Sequence, residues 1–124
     1  LKGCFGEADV VMYLEGCFLS DSYTLLTKQC DQYEIPLFSG DIQAVIGGAA
    51  FGYGVFAQSI GEIAMRMSYE ILVHRKKTGD IPVKFMHESR KVALNLDAAE
   101  KQGLAITPEL LAWVQKEGVV YRGH

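Results

Sequence analysis

Residues 10–14 read Val10-Val11-Met12-Tyr13-Leu14, and residues 35–41 read Ile35-Pro36-Leu37-Phe38-Ser39-Gly40-Asp41; these runs and the stretch between them decide the fold. The first run is continuously apolar and β-branched at its start, the pattern of a strand buried on both faces. Ser20-Asp21-Ser22 then supplies N-cap side chains, and Leu25, Leu26, Cys30 and Tyr33 recur on one helical face. The second run reads as another strand, with Pro36 at its start, where a missing N–H is tolerated. Gly40-Asp41 turns the chain into a short helix that stops at Gly47-Gly48.

Working outward, residues 49–53 predict a third short strand. A long helix over 56–74 follows, with Ile60, Ile63, Ala64, Met67 and Ile71 on its apolar face. Thr78-Gly79-Asp80 ends it. Residues 81–86 and 92–96 predict two more strands, separated by a polar turn over 87–91. Asp97-Ala98-Ala99-Glu100 has the spacing of a capping box, Gly103 closes that helix, and Thr107-Pro108 opens the last one. Strands alternating with helices predict an α/β fold, a three-layer sandwich whose mostly parallel sheet is covered on both faces.

Composition narrows the function classes. The chain has 124 residues, 49% hydrophobic and 22% charged, with 12 Lys+Arg against 15 Asp+Glu and a net charge of −3. That length suits one domain. A mildly acidic chain is a poor nucleic-acid binder, because phosphate affinity needs clustered cations. The one basic cluster, His74-Arg75-Lys76-Lys77, falls at a helix end, where cations oppose the dipole favourably. No apolar run approaches the roughly 20 residues needed to span a bilayer. The chain begins Leu1-Lys2-Gly3, without an initiator Met or a signal-peptide pattern, as expected of a mature product or a fragment. Cys4, Cys17 and Cys30 lack the close pairing of a zinc site and read as buried thiols, with one disulfide plus a free thiol open to an exported protein.

In an open α/β sheet, ligands bind beyond the carboxyl ends of the strands. Three loops occupy that rim, 15–21, 39–41 and 52–56. Asp41, directly after a strand, suits either a ligand ammonium group or a helix N-cap, and one carboxylate can do both. Gly52-Tyr53-Gly54-Val55-Phe56-Ala57 matches a dinucleotide-binding glycine pattern, but the acids that follow, Glu62 and Glu70, lie inside the long helix instead of after the next strand. The blander reading is a glycine turn that lets backbone approach a ligand or a packed helix. A phosphoacceptor domain would need acids at the end of the third strand, which here reads Gly52-Tyr53-Gly54. No nucleophile elbow, phosphate loop, metal motif or carboxylate pair stands out, so neither enzymatic activity nor a cofactor is expected.

Several segments together resemble a known family. They are Ala8-Asp9-Val10-Val11, Ile35-Pro36-Leu37-Phe38-Ser39-Gly40, Phe51-Gly52-Tyr53-Gly54, Ile71-Leu72 and Gly79-Asp80-Ile81-Pro82-Val83, followed by Leu94-Asn95-Leu96-Asp97-Ala98-Ala99 and Gly103-Leu104-Ala105-Ile106-Thr107-Pro108-Glu109-Leu110-Leu111. The chain resembles the C-terminal part of ABC-transporter substrate-binding proteins of the tryptophan/tyrosine type, with a type I periplasmic-binding-protein fold. The resemblance implies a single second lobe over 1–124, with 1–80 as its main body and 81–124 as return strands and C-terminal helices.

It further implies a small amino-acid-like or other polar or aromatic ligand held at an interlobe cleft, with an ABC permease in the membrane as partner. The setting would be periplasmic or extracellular, with attachment through an upstream signal or lipid anchor as in a lipoprotein. The implied ligand-binding residues are Glu15, Gly16, Cys17, Ser39, Gly40, Asp41, Tyr53, Gly54 and Phe56. Glu15-Gly16-Cys17-Phe18 replaces the family's usual Thr/Ser-Asp or Gly-Asp-Pro, Phe56 stands where Asp or Asn is common, and Ala57 where an aromatic is common. These departures imply an altered pocket and a ligand other than a standard aromatic amino acid. A homodimer through exposed hinge surface is compatible with such a lobe, as is a ligand-sensing regulatory domain of the same fold without transport.

Overall fold

The computed structural model describes residues 7–14 and 20–122. The chain divides into two compact units, one of residues Leu1–Gly54 with Lys91–His124 and the other Val55–Arg90. A five-stranded sheet runs in the spatial order β1 (Val11–Tyr13), β2 (Leu37–Ser39), β3 (Phe51–Val55), β4 (Arg90–Asn95) and β5 (Gly118–Tyr121). The β1–β2, β2–β3 and β4–β5 pairs are parallel. The helices of the first unit are α1 (Ser20–Tyr33), α2 (Ile42–Ile46), α4 (Leu96–Lys101) and α5 (Pro108–Glu117), while α3 (Ala57–Leu72) belongs to the second. The expected mixed α/β architecture with a mostly parallel sheet is therefore present.

In the first unit the core follows β2 and β4, whereas β1, expected to be buried on both faces, lies at the sheet edge and leaves Met12 65% exposed. Val92, Ala93, Leu94 and Asn95 are all buried in succession, which requires cover on both faces of β4. Ala50, Val92, Leu94, Ala99 and Val114 form one cluster, with Leu104, Leu110, Leu111 and Val120 packed against it. β5 directly continues α5, and no strand was expected there. The join is made by Gly118, where any Cβ would collide with the Val92 carbonyl oxygen, so only glycine lets the two strands approach.

The ends of α2, α4 and α5 match the expected cap chemistry with one shift of register, whereas α1 already contains Ser20-Asp21-Ser22, which were expected to supply its N-cap. Asp41 caps α2, and Thr107 caps α5 with Pro108 in its first turn. Gly48 (φ 111°) and Gly103 (φ 70°) take the left-handed turns after α2 and α4. The cap of α4 is Asn95, whose Oδ1 accepts from the Ala98 N–H at 3.1 Å, and Asp97 lies inside the first turn. Asn95 displaces Asp97 because its amide does two jobs: Nδ2 also donates to the Val45 carbonyl at 2.9 Å, which a carboxylate cannot do.

The second unit departs from expectation at its end. Helix α3 closes at Leu72, two residues early, and Val73 continues with a bond to the Tyr69 carbonyl. Residues 81–86, read as a strand, pair with no strand among the described residues and run between two 3-10 turns, Thr78–Asp80 and His87–Ser89. Pro82 removes one ladder donor, and Val83 and Phe85 are more than three-quarters exposed. No described residue of α3 is fully buried, although Ile63, Met67 and Ile71 are half-buried on one stripe.

Candidate functional site

The register places the carboxyl ends of β1 and β2 side by side, Tyr13 opposite Ser39, with Ser39 opposite Gly52 near the start of β3. Backbone polar groups leaving a sheet must find new partners, and here they find one another. The Gly40 N–H donates to the Tyr13 carbonyl at 3.0 Å, lashing the loop after β2 to the end of β1. Ser39 is buried, and its Oγ accepts from the Asp41 N–H at 3.0 Å. Asp41 Oδ1 accepts from the Gln43 N–H at 2.8 Å, which fixes the carboxylate as the cap of α2 while the side chain stays half-buried.

The third strand closes on this loop through its glycines. A Cβ on Gly54 would run into the Gly40 carbonyl oxygen, and one on Gly52 would stand 2.5 Å from Val45 Cγ2 and 3.4 Å from the Ser39 carbonyl. Gly52-Tyr53-Gly54, expected as a turn, instead lies inside β3, where its glycines let the strand pack closely against α2 and the loop after β2. Ser39, Gly40, Asp41 and Gly54 are brought together. Tyr53 is half-exposed and projects from the opposite face of β3, because successive strand side chains alternate. Phe56 is the residue before α3, half-buried, in the second unit. Glu15, Gly16 and Cys17 lie outside the described residues.

Behind the rim stand residues that sequence reading passed over. Tyr23 Oη donates to the Ala44 carbonyl at 2.6 Å, and its ring meets Tyr13 edge-on with centroids 5.3 Å apart. Burial is the largest influence on the Tyr23 phenol and raises its pKa, an effect to which the nearby Asp41 carboxylate adds. Gln102 is fully buried; its Oε1 accepts from the Leu37 N–H at 2.8 Å, and its Nε2 donates to Asp31 Oδ1 at 2.8 Å and to the Gly48 carbonyl at 2.9 Å. A polar residue ending an apolar strand was the legible signal for Asn95. Gln102, next to a helix-closing glycine, carried none.

The chemistry available at this rim is that of recognition. A capped carboxylate and a rigid backbone loop can meet a cationic, hydrogen-bonding group. Among the described residues no cluster of three His, Cys, Asp or Glu is placed to hold a metal ion. A groove of about 490 Å³ lies in the second unit, between Arg66, Met67 and Glu70 on α3 and Ile81-Pro82, with Lys76 3.6 Å from Glu70. None of the expected site residues lines it. No described helix is long and apolar enough to cross a membrane.

Comparison with known proteins places this geometry in context. Solved structures share the fold: a conserved domain protein from Vibrio cholerae (20% identity, TM-score 0.78) over 97% of this chain and 39% of that one. An ABC domain in complex with L-Trp from Streptococcus pneumoniae (16% identity, TM-score 0.78) covers 96% of this chain and 40% of its own. A ligand-free, open substrate binding protein with adhesive properties from Clostridium difficile (17% identity, TM-score 0.70) covers 99% and 39%. The chain thus spans about two-fifths of the length of these relatives. No curated protein matches it in sequence. The family model for ABC transporter substrate binding proteins matches residues 2–117, and the chain belongs to that family.

Proposed function

We propose that this chain is one ligand-binding lobe of the substrate-binding component of an ABC importer. The observation that carries the reading is the family match over nearly the whole chain. The ligand is a small amino-acid-like or other polar or aromatic molecule, held in a cleft between this lobe and a second one. The L-Trp complex of the Streptococcus pneumoniae relative supports a ligand of that size and chemistry. Asp41 pairs with the ligand's ammonium group, and the Ser39-Gly40 and Gly54 backbone lines its polar end. Tyr53 and Phe56 are the proposed apolar contacts, and Glu15, Gly16 and Cys17 are further proposed ligand-binding residues on the sequence resemblance alone. Closure of two lobes about a hinge traps the ligand, and a membrane permease recognises the closed form. No bond is made or broken. The working place is outside the cytoplasmic membrane, with a signal or lipid anchor keeping the protein near its permease.

Isothermal titration of the full-length protein against L-tryptophan, the other amino acids and small aromatic amines tests this reading. One of these is expected to bind, and Asp41→Asn to weaken that ligand tenfold or more, as loss of a charge-assisted hydrogen bond of about 1.5–3 kcal/mol requires. Absence of binding across the panel counts against the ligand class. Unchanged affinity in Asp41→Asn removes Asp41 from the site.

A further inference from the structure

The geometry points to Tyr23 as a positioning residue for Asp41, acting through the seat of α2. This inference rests on the proposed role of Asp41 in ligand binding. Helix α2 has five residues, too few to hold its own shape or place. Its location is set from outside, by side-chain donors on three other elements. Asn95 donates to the Val45 carbonyl, Gln102 to the Gly48 carbonyl, and Tyr23 to the Ala44 carbonyl.

Tyr23 differs from the other two in what it adds. The Ala44 carbonyl already accepts from the Ala49 N–H at 3.0 Å, so the Tyr23 hydroxyl is a second donor that fixes direction where the bond count was already met. Its ring lies against the turn after α2, where a Cβ on Gly47 would be 3.1 Å from Cε1. The same ring meets Tyr13, whose carbonyl holds the Gly40 N–H. Tyr23 therefore touches both supports of the Ser39–Asp41 loop, the strand that ties Gly40 and the helix that Asp41 caps. Within that loop Asp41 is committed at three atoms: N to Ser39 Oγ, Oδ1 to the Gln43 N–H, and its carbonyl to the Ala44 N–H at 3.2 Å. A shift of α2 moves the carboxylate with it.

Tyr23→Phe removes only the hydroxyl. Amide hydrogen exchange of this chain is expected to speed up about fivefold at Gln43 and Ala44, the equivalent of one net hydrogen bond, with the Ala93 and Leu94 amides of β4 unchanged. Acceleration shared equally by β4 would mean a merely structural tyrosine and would overturn the proposal, as would unchanged exchange at Gln43. This readout needs no ligand, so it decides the positioning claim even if the titration panel finds no binder. For whichever compound of that panel (L-tryptophan, the other amino acids, small aromatic amines) the full-length protein binds, the dissociation constant is expected to rise severalfold in Tyr23→Phe. If exchange at Gln43 rises while that constant stays put, Tyr23 positions α2 but Asp41 does not hold the ligand, so the proposed site fails while the positioning claim stands.

Discussion

Replacing Gln102 by leucine tests whether one buried amide joins three elements of the first unit. The side chain is fully buried and makes three hydrogen bonds, to the Leu37 N–H, the Gly48 carbonyl and Asp31 Oδ1. Leucine keeps the bulk and removes all three. Asp31 is half-buried and can turn to water, so its loss is small. The Leu37 N–H sits on a residue with no exposed surface and is left without a partner, and the half-buried Gly48 carbonyl loses its donor. An orphaned buried group costs about 1–3 kcal/mol, so the two together predict a loss of about 2–6 kcal/mol. Against a total of about 5–15 kcal/mol for a domain, that is a large fraction. The assay is urea unfolding followed by the fluorescence of Trp113, the single tryptophan, which stacks on Phe51 in the same unit. With a slope of about 2 kcal/mol/M, the midpoint should fall by roughly 1–3 M. A loss below about 1 kcal/mol would refute the reasoning, since it would mean that the network is already replaced by water. Gln102→Glu sharpens the test. Its carboxylate would face Asp31 and the Gly48 carbonyl, both acceptors, so burial and repulsion raise its folded pKa above the unfolded value. The sign is then fixed: the variant is destabilised at neutral pH and regains stability as pH falls towards the unfolded glutamate range.

Three further outcomes are expected. Gly54→Ala should cost about 1–3 kcal/mol in the same urea titration, because its methyl has only the Gly40 carbonyl to displace; a neutral result would show that the two loops can part freely. Asp41→Ala should lower stability by about 1 kcal/mol through loss of the cap, while Asp41→Asn should melt within a few tenths of a kcal/mol of the parent, so thermal melts separate cap from charge. Cys30 is a free, buried thiol whose pKa is pushed up to about 11, first by burial and then by Asp31. Mass mapping after iodoacetamide at pH 8 should find it unmodified in the folded chain and alkylated in urea. Because the folded pKa lies above the unfolded one, the Cys30 contribution to stability should decline above about pH 9.

Much of the fold was legible because it depends on short-range rules. The β1 and β2 runs, the Asp41 and Thr107 caps, the glycines after α2 and α4 and the Pro108 start each follow from residues a few positions apart. What was misjudged depends on partners far along the chain. Residues 81–86 have the alternation of a strand, yet a strand needs a ladder, and Pro82 and the flanking turns leave them unpaired among the described residues. Strand β5 is the reverse case: four residues gain strand structure because Gly118 admits β4 at close range. The capping box at Asp97 gave way to Asn95 because Val45, 50 positions earlier, needed a donor.

By itself, then, the sequence determined the alternation of strands and helices, the family, and the presence of Asp41 at a strand end, all properties of local patterning. Only the tertiary structure decided what surrounds that residue. It joined Ser39, Gly40 and Gly54 into one clamped rim, turned Tyr53 to the other face, and set Tyr23, Asn95 and Gln102 behind α2. The physical reason is that a buried carbonyl or N–H must be satisfied by whichever donor or acceptor the packed chain brings to it, and no periodicity records which one that will be.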